Sequence, residues 1–229
     1  MSKPTPLSYS RLSTFENCPA SFDYQHISKL VSFQGSDATE YGNRVHKVLE
    51  ELGNGELNEA ALSDEGRTTL DKWGPLVHNI LSRSGEKLFE QQLAVNDKLA
   101  PVDWFAADVW IRSIADVLVI DGTTAYLLDW KTGKVRDNPT QMQLFAAMVM
   151  WHYPEVTTVH TAFIWLRFDE TTKATYERRF LSALWGALKP RFDKVQDTID
   201  LGVFDAKPSG LCPWCPAKEI CPNARIGRR

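Results

Sequence analysis

At 229 residues, 43% hydrophobic and 24% charged, the chain has the composition of a water-soluble globular protein and room for one large domain or two small ones. A net charge of −3 and a pI of about 6.0 argue against a strongly basic protein that coats nucleic acid, but not against an enzyme whose acidic groups hold a cation. No apolar run approaches the roughly 20 residues that cross a bilayer. The first residues, MSKPTPLSYSR, lack the apolar core of a secretory signal, so a cytoplasmic location is expected.

Residues 7 to 30 read as a helix, a break at Cys18–Pro19 and a second short helix, with Ser8 or Ser10 able to cap the first. A loop over 31–37 leads to an amphipathic helix over 38–52, its apolar face marked by Tyr41, Val45, Val48, Leu49 and Leu52. His46 lies beside that face. A polar stretch over 53–66 precedes a helix over 67–83 that Pro75 kinks. Residues 86 to 111 read as two strands with a turn at 96–98, and Glu90 in the first is a weak acidic candidate.

The most informative stretch is SIADVLVIDGTTAYLLDWKTGK, residues 113 to 134. Two apolar runs flank Asp121–Gly122, a strong hairpin signal. Folding the hairpin brings Asp116 close to Asp129, and Lys131, two residues on, shares the face of Asp129. Charges are costly to desolvate in such a ribbon. Two close carboxylates suit a hard cation such as Mg²⁺ or Mn²⁺, and a lysine beside them suits a developing negative charge, as in phosphodiester hydrolysis. The bland alternative is a hairpin with an Asp129–Lys131 salt bridge.

A loop over TGKVRDNP leads to a helix that starts at Pro139, with Asn138 as its cap, and ends before Pro154. A strand over 156–168, an edge strand over 174–180 and a helix over 182–201, bent at Pro190, complete the core. Arg178 with Arg179, Lys189 with Arg191, Lys131 with Lys134 and Arg136, and Arg225 with Arg228 and Arg229 form local basic groups. Each is either a solvated face or a DNA contact. The chain contains no GxxxxGK[ST] phosphate loop.

Near the C-terminus Cys212, Cys215 and Cys221 form C-x2-C-x5-C, and Cys18 is the only other cysteine. In a reducing compartment this spacing argues for a metal site. Zinc and an iron–sulfur cluster both accept four thiolates.

Taken in order, Cys18, the Gly42–His46–Leu49–Glu50 pattern, Asp116, Asp129-Trp-Lys131, Gln141 with Phe145, and the cysteine triplet resemble the PD-(D/E)XK nuclease superfamily. The resemblance is to its RecB-like iron–sulfur branch, similar to AddB-type and CRISPR spacer-acquisition nucleases. It implies a restriction-endonuclease-like α/β fold: a mixed central sheet flanked by helices, the termini joined by a four-cysteine cluster. The nuclease would form a single domain over 1–229, with its core at about 38–200 and the cluster region formed by about 8–30 and 205–225. The resemblance further implies His46, Asp116, Asp129 and the backbone carbonyl of Trp130 as ligands of Mg²⁺ or Mn²⁺, and Lys131 as the catalytic lysine. Gln141 would bridge toward the scissile phosphate, with Gln143 the fallback. Phenylalanine stands at 145 where the family has tyrosine, which removes any role for a phenolic hydroxyl there. Cys18, Cys212, Cys215 and Cys221 would hold a [4Fe–4S] cluster. The implied activity is DNA cleavage, as an exonuclease, in recombination or repair. The implied partners are single-stranded or end-containing DNA and a helicase or recombinase in trans, with no membrane. Alternatives from other classes are a catalytically silent DNA-binding subunit and a zinc-stabilised interaction module.

Overall fold

The computed structural model describes residues 5–32, 35–136 and 138–224. The basic group expected at Arg225, Arg228 and Arg229 lies outside them, as do parts of the loops expected over 31–37 and 132–139.

Five strands form one sheet in the order β1 (Glu86–Val95), β2 (Ile111–Asp121), β3 (Thr124–Lys131), β4 (Thr158–Trp165) and β5 (Glu170–Glu177). Every neighbouring pair is antiparallel except β3 and β4. That parallel pair needs a crossover, which α5 (Pro139–His152) supplies. The β2–β3 turn is tight because Gly122 takes a φ of 57°.

Helices cover both faces. On one, α1 (Tyr9–Asn17), α5 and α6 (Leu181–Leu201) close the larger core with Leu118, Leu127 and Phe163 of the sheet. On the other, α3 (Asp37–Asn54) and α4 (Asp64–Leu81) pack Val45, Leu49, Trp73 and Val77 on Val117, Val119 and Trp130. Ser8 caps α1 by accepting from the Arg11 backbone N–H at 3.3 Å. Cys18 takes extended backbone between α1 and α2 (Pro19–Phe22), as the residue before proline prefers. Leu7, fully buried, bridges Ile111 in parallel and ties the N-terminal segment to the start of β2.

Three expectations change. The second strand expected before residue 111 does not form. Residues 96–110 are a loop whose pairing with β1 is limited to an isolated Val95–Pro101 bridge and a few backbone hydrogen bonds, because Pro101 offers no N–H for a ladder and Asn96 folds back onto the Lys98 and Ala100 amides. Asn138 stands at the start of α5 but makes no side-chain capping bond. The last strand stops at Glu177, since Arg178 turns inward and donates to the carbonyls of Met150, Tyr153 and Val156 at 2.7 Å each, closing the end of α5. The paired basic groups are also largely committed within the fold: Arg179 pairs with Glu177, Lys189 with Asp193 and Arg191 with Glu16.

Candidate active site

The β2–β3 ladder ends at Val117 opposite Leu128. One step further the two strands part, and Asp116 and Asp129 stand at the fork, both buried. The backbone N–H of Trp130 donates to Asp116 Oδ2 at 2.6 Å, so the carboxylate replaces a ladder bond. The Trp130 ring is buried in the α3–α4 core and anchors the backbone that runs between Asp129 and Lys131.

Lys131 makes an ion pair with Asp129 Oδ2 and lies 4.8 Å from the centroid of the Phe163 ring. Gln141, in the first turn of α5, joins the two: its Nε2 donates to Asp129 Oδ1 at 3.3 Å, and its Oε1 accepts from Lys131 Nζ at 3.4 Å. Gln143 is not part of this group among the described hydrogen bonds. Phe145 is buried in the larger core.

From the other side α3 brings His46, whose Nδ1 is 3.4 Å from Asp116 Oδ2. Gly42, one turn earlier, explains this approach: a Cβ there would meet Thr132 Oγ1 at 3.0 Å, so glycine lets α3 close on the segment that leaves β3. Glu50 is turned to Lys47 at 3.4 Å.

Glu90 is the residue that sequence reasoning undervalued. It breaks the β1–β2 ladder between Phe89–Val117 and Gln91–Ala115, with a left-handed φ of 49° that is rare outside glycine and asparagine. Its carboxylate, His46 and Asp116 offer ligand atoms that all lie within 4.8 Å of one another, the one such grouping found among the described residues. Its only signal in the sequence is register, since the strand pairing sets it opposite Asp116.

The electrostatics are those of a crowded acidic nest. Burial, then repulsion from Asp116, pushes the Glu90 carboxyl up to about 7. The same two causes raise Asp129, against the pull of Lys131. Burial opposes a charged His46 ring, but the hydrogen bond and charge of Asp116 outweigh it and raise His46 overall. Asp129 Oδ2 is shielded from water and, despite its contact with Lys131, accepts no well-formed hydrogen bond among the described residues. A buried carboxylate oxygen with Lys131 as its contact keeps acceptor capacity that is costly to leave unused. A divalent cation would satisfy it and relieve the repulsion among three carboxylates, and oxygen with imidazole is a donor set that suits Mg²⁺ or Mn²⁺.

A family model described as the PD-(D/E)XK nuclease superfamily matches residues 6–222. The chain belongs to this superfamily. The match runs through the fork, His46 and all four cysteines. Among solved structures, a putative exonuclease from Eubacterium rectale aligns over 98% of this chain and 89% of its own, at 12% identity and a TM-score of 0.59. SSO0001 aligns over 98% and 89%, at 13% identity and a TM-score of 0.45. The first of these supports the fold. No curated protein matches the sequence.

The cysteines form a separate centre. None of the four is in a disulfide, and all line one cavity of about 270 Å³ between the α1–α2 break and the C-terminal segment. The backbone N–H of Lys207 donates to Cys18 Sγ and that of Ser209 to Cys212 Sγ, each at 3.3 Å, and Ser21 Oγ lies 3.3 Å from Cys215 Sγ. Lys207 Nζ donates to the Glu16 carbonyl at 2.9 Å, so the last segment is also tied to α1 without the sulfurs.

Proposed function

We propose that the protein is a Mg²⁺- or Mn²⁺-dependent deoxyribonuclease of the RecB-like type, working as an exonuclease in DNA processing, recombination or repair. The observation that carries this reading is the fork itself: Asp116, Asp129 and Lys131 on parting strands, with a buried oxygen of Asp129 whose contact is Lys131. His46, Asp116, Asp129 and the Trp130 carbonyl would hold the cation, with Glu90 beside them. A divalent cation there supplies Lewis acidity to a phosphoryl oxygen and acidifies water. Lys131 stabilises the charge that grows on the phosphate as water attacks in line. Gln141 holds Lys131 and Asp129 in register through its two hydrogen bonds. The Trp130 amide fixes Asp116.

Cys18, Cys212, Cys215 and Cys221 would hold a [4Fe–4S] cluster that cross-links the two ends of the domain over 1–229. The N–H donors aimed at Cys18 and Cys212 suit ligating thiolates. One cysteine precedes the nuclease core and three follow it, whereas zinc sites usually come as two CxxC-type pairs. That distribution supports a cluster over a single zinc. The substrate is single-stranded or end-containing DNA, delivered by a helicase or recombinase in trans, in the cytoplasm. No helix among the described residues is long and apolar enough to cross a membrane.

Digestion of end-labelled linear and closed circular DNA with Mg²⁺ or Mn²⁺ tests this reading. Release of terminal nucleotides from linear DNA, with circles intact, is expected. Cleavage of circles would overturn the exonuclease assignment, and no cleavage of either would overturn the enzyme.

A further inference from the structure

The mechanism leaves Arg11, Trp104, Phe105 and Arg112 without a role. Arg112, Ile114 and Asp116 alternate along β2 and so share a side of the strand. The row spans four residues, about 13 Å of backbone between Asp116 and Arg112. Ile114 between them is 38% exposed, and its partner Gln92 on β1 is exposed as well, so this side of the ribbon is open.

At the outer end of the row the guanidinium of Arg112 lies 4.7 Å from the centroid of the Trp104 ring. The next residue, Phe105, is 83% exposed, the most exposed large apolar side chain among the described residues. It is held out on a braced turn. Val102 N–H donates to the Ala94 carbonyl at 3.0 Å, Ala106 N–H to the Asp103 carbonyl at 2.9 Å, and Trp110 N–H to the Val95 carbonyl at 2.9 Å. Of the loop's acids, Asp108 is turned to Asn96 Nδ2 at 3.2 Å, and Asp97 and Asp103 are exposed.

A second cation joins Arg112. The Leu7–Ile111 bridge sets the start of α1 beside the start of β2, where Arg11 donates to the Pro6 carbonyl. Burial, then the charge of Arg112, holds Arg11 below the usual guanidinium value. Neither arginine has a carboxylate partner among the described residues. Two guanidinium groups on neighbouring segments, neither ion-paired among the described residues, with a stacked indole and a presented phenyl ring beside Arg112, form a site for an anion attached to an aromatic ring.

We propose that this row is a subsite for an unpaired stretch of the substrate strand, in which Arg112 and Arg11 take a backbone phosphate and Phe105 stacks on a base outside the catalytic fork. Stacking of this kind tolerates any sequence and requires a base free of its complement. The proposal rests on the nuclease reading for its substrate, but not on the chemistry at the fork.

The test measures binding of a fluorescent oligodeoxythymidine and of a blunt DNA hairpin in chelator, for the parent, Phe105→Ala, Phe105→Tyr and Arg112→Gln. Hydrolysis of the small diester thymidine 5′-(4-nitrophenyl phosphate) with Mn²⁺ is followed in parallel, since that molecule is too short to reach the row. Phe105→Ala should weaken single-strand binding about tenfold, with hairpin binding and melting temperature unchanged, and Phe105→Tyr should restore it. Arg112→Gln should lower the slope of log affinity against log salt by about 1. All variants should hydrolyse the small diester at the parent rate. A folded Phe105→Ala protein that binds the single strand as the parent does, or a parent that does not bind it, overturns the subsite while diester hydrolysis keeps the nuclease. A parent that binds the strand, loses affinity in the variants and hydrolyses no diester overturns the nuclease and keeps the subsite.

Discussion

Trp130 donates its backbone N–H to Asp116 Oδ2 at 2.6 Å, across the point where β2 and β3 cease to pair. The bond ties a functional carboxylate to the neighbouring strand, so loss of charge and loss of the acceptor have separable consequences. Asp116→Asn keeps an oxygen for the Trp130 amide and removes the charge. It should fold within about 1 kcal/mol of the parent and lose cleavage by about 10²-fold or more. Asp116→Ala also strands a buried N–H, which costs a further 1–3 kcal/mol or so. Urea unfolding and cleavage rates on both variants check this. Equal stability of the two would mean that the Trp130 bond contributes nothing.

Lys131 is held by Asp129, Gln141 and the face of Phe163 rather than lying free on the surface. A preorganised cation of this kind is worth about 10²-fold or more in rate. Lys131→Ala should lose that much turnover while Mn²⁺ binding, measured by calorimetry, stays within a few-fold. Cleavage at the parent rate would reduce Lys131 to a salt-bridge partner.

What the sequence made legible was local. The Asp121–Gly122 turn sets the hairpin, and counting outward from it puts Asp116 beside Asp129 without any long-range knowledge. Cysteine arithmetic joined position 18 to positions 212, 215 and 221, and those four side chains do line one cavity. Glu90 was not legible in the same way, because its place opposite Asp116 depends on the β1–β2 register and on a left-handed backbone that glutamate rarely adopts. The strand expected before residue 111 failed for a related reason: apolar residues in PVDWFAADVW imitate a strand, yet Pro101 and the Asn96 side chain divert the backbone. Arg11 and Arg112 stood 101 positions apart and met only through the Leu7–Ile111 bridge.

His152 offers a pH test remote from the fork. Its Nε2 accepts from the Ala94 backbone N–H at 3.2 Å, so Nδ1 carries the proton and donates to the Met148 carbonyl at 2.9 Å. Burial holds its pKa below the usual 6.5. The fold therefore prefers the neutral ring. This contribution is intact above pH 6.5 and is lost as pH falls through the lower folded value. The stability difference between the parent and His152→Gln should be on the order of 1 kcal/mol near pH 8 and shrink toward about pH 5. A difference that grows in acid would contradict the assignment of the neutral ring.

The cysteine site should act through folding and not through chemistry at the fork. Cys18→Ser should release iron, lower the melting temperature and lose activity through unfolding. A covalent link closing so long a loop is credited with roughly 5 kcal/mol in the chain-entropy model. Iron analysis, absorbance near 400 nm and thermal melting on anaerobically purified protein check this. Normal iron and melting in Cys18→Ser would remove Cys18 from the centre.

The central claim is that the parting strands hold a cation that cuts DNA. The most direct measurement is cleavage of an end-labelled oligonucleotide by the parent and by Asp129→Ala, each in Mn²⁺ and in chelator, with melting curves recorded on the same samples. The parent should cut only in Mn²⁺ and melt higher with it, because the cation relieves the repulsion among Asp116, Asp129 and Glu90. Asp129→Ala should stay folded, fail to cut and lose most of the Mn²⁺-induced rise in melting temperature. Cutting by the parent in chelator, or by folded Asp129→Ala in Mn²⁺ at the parent rate, would contradict the account.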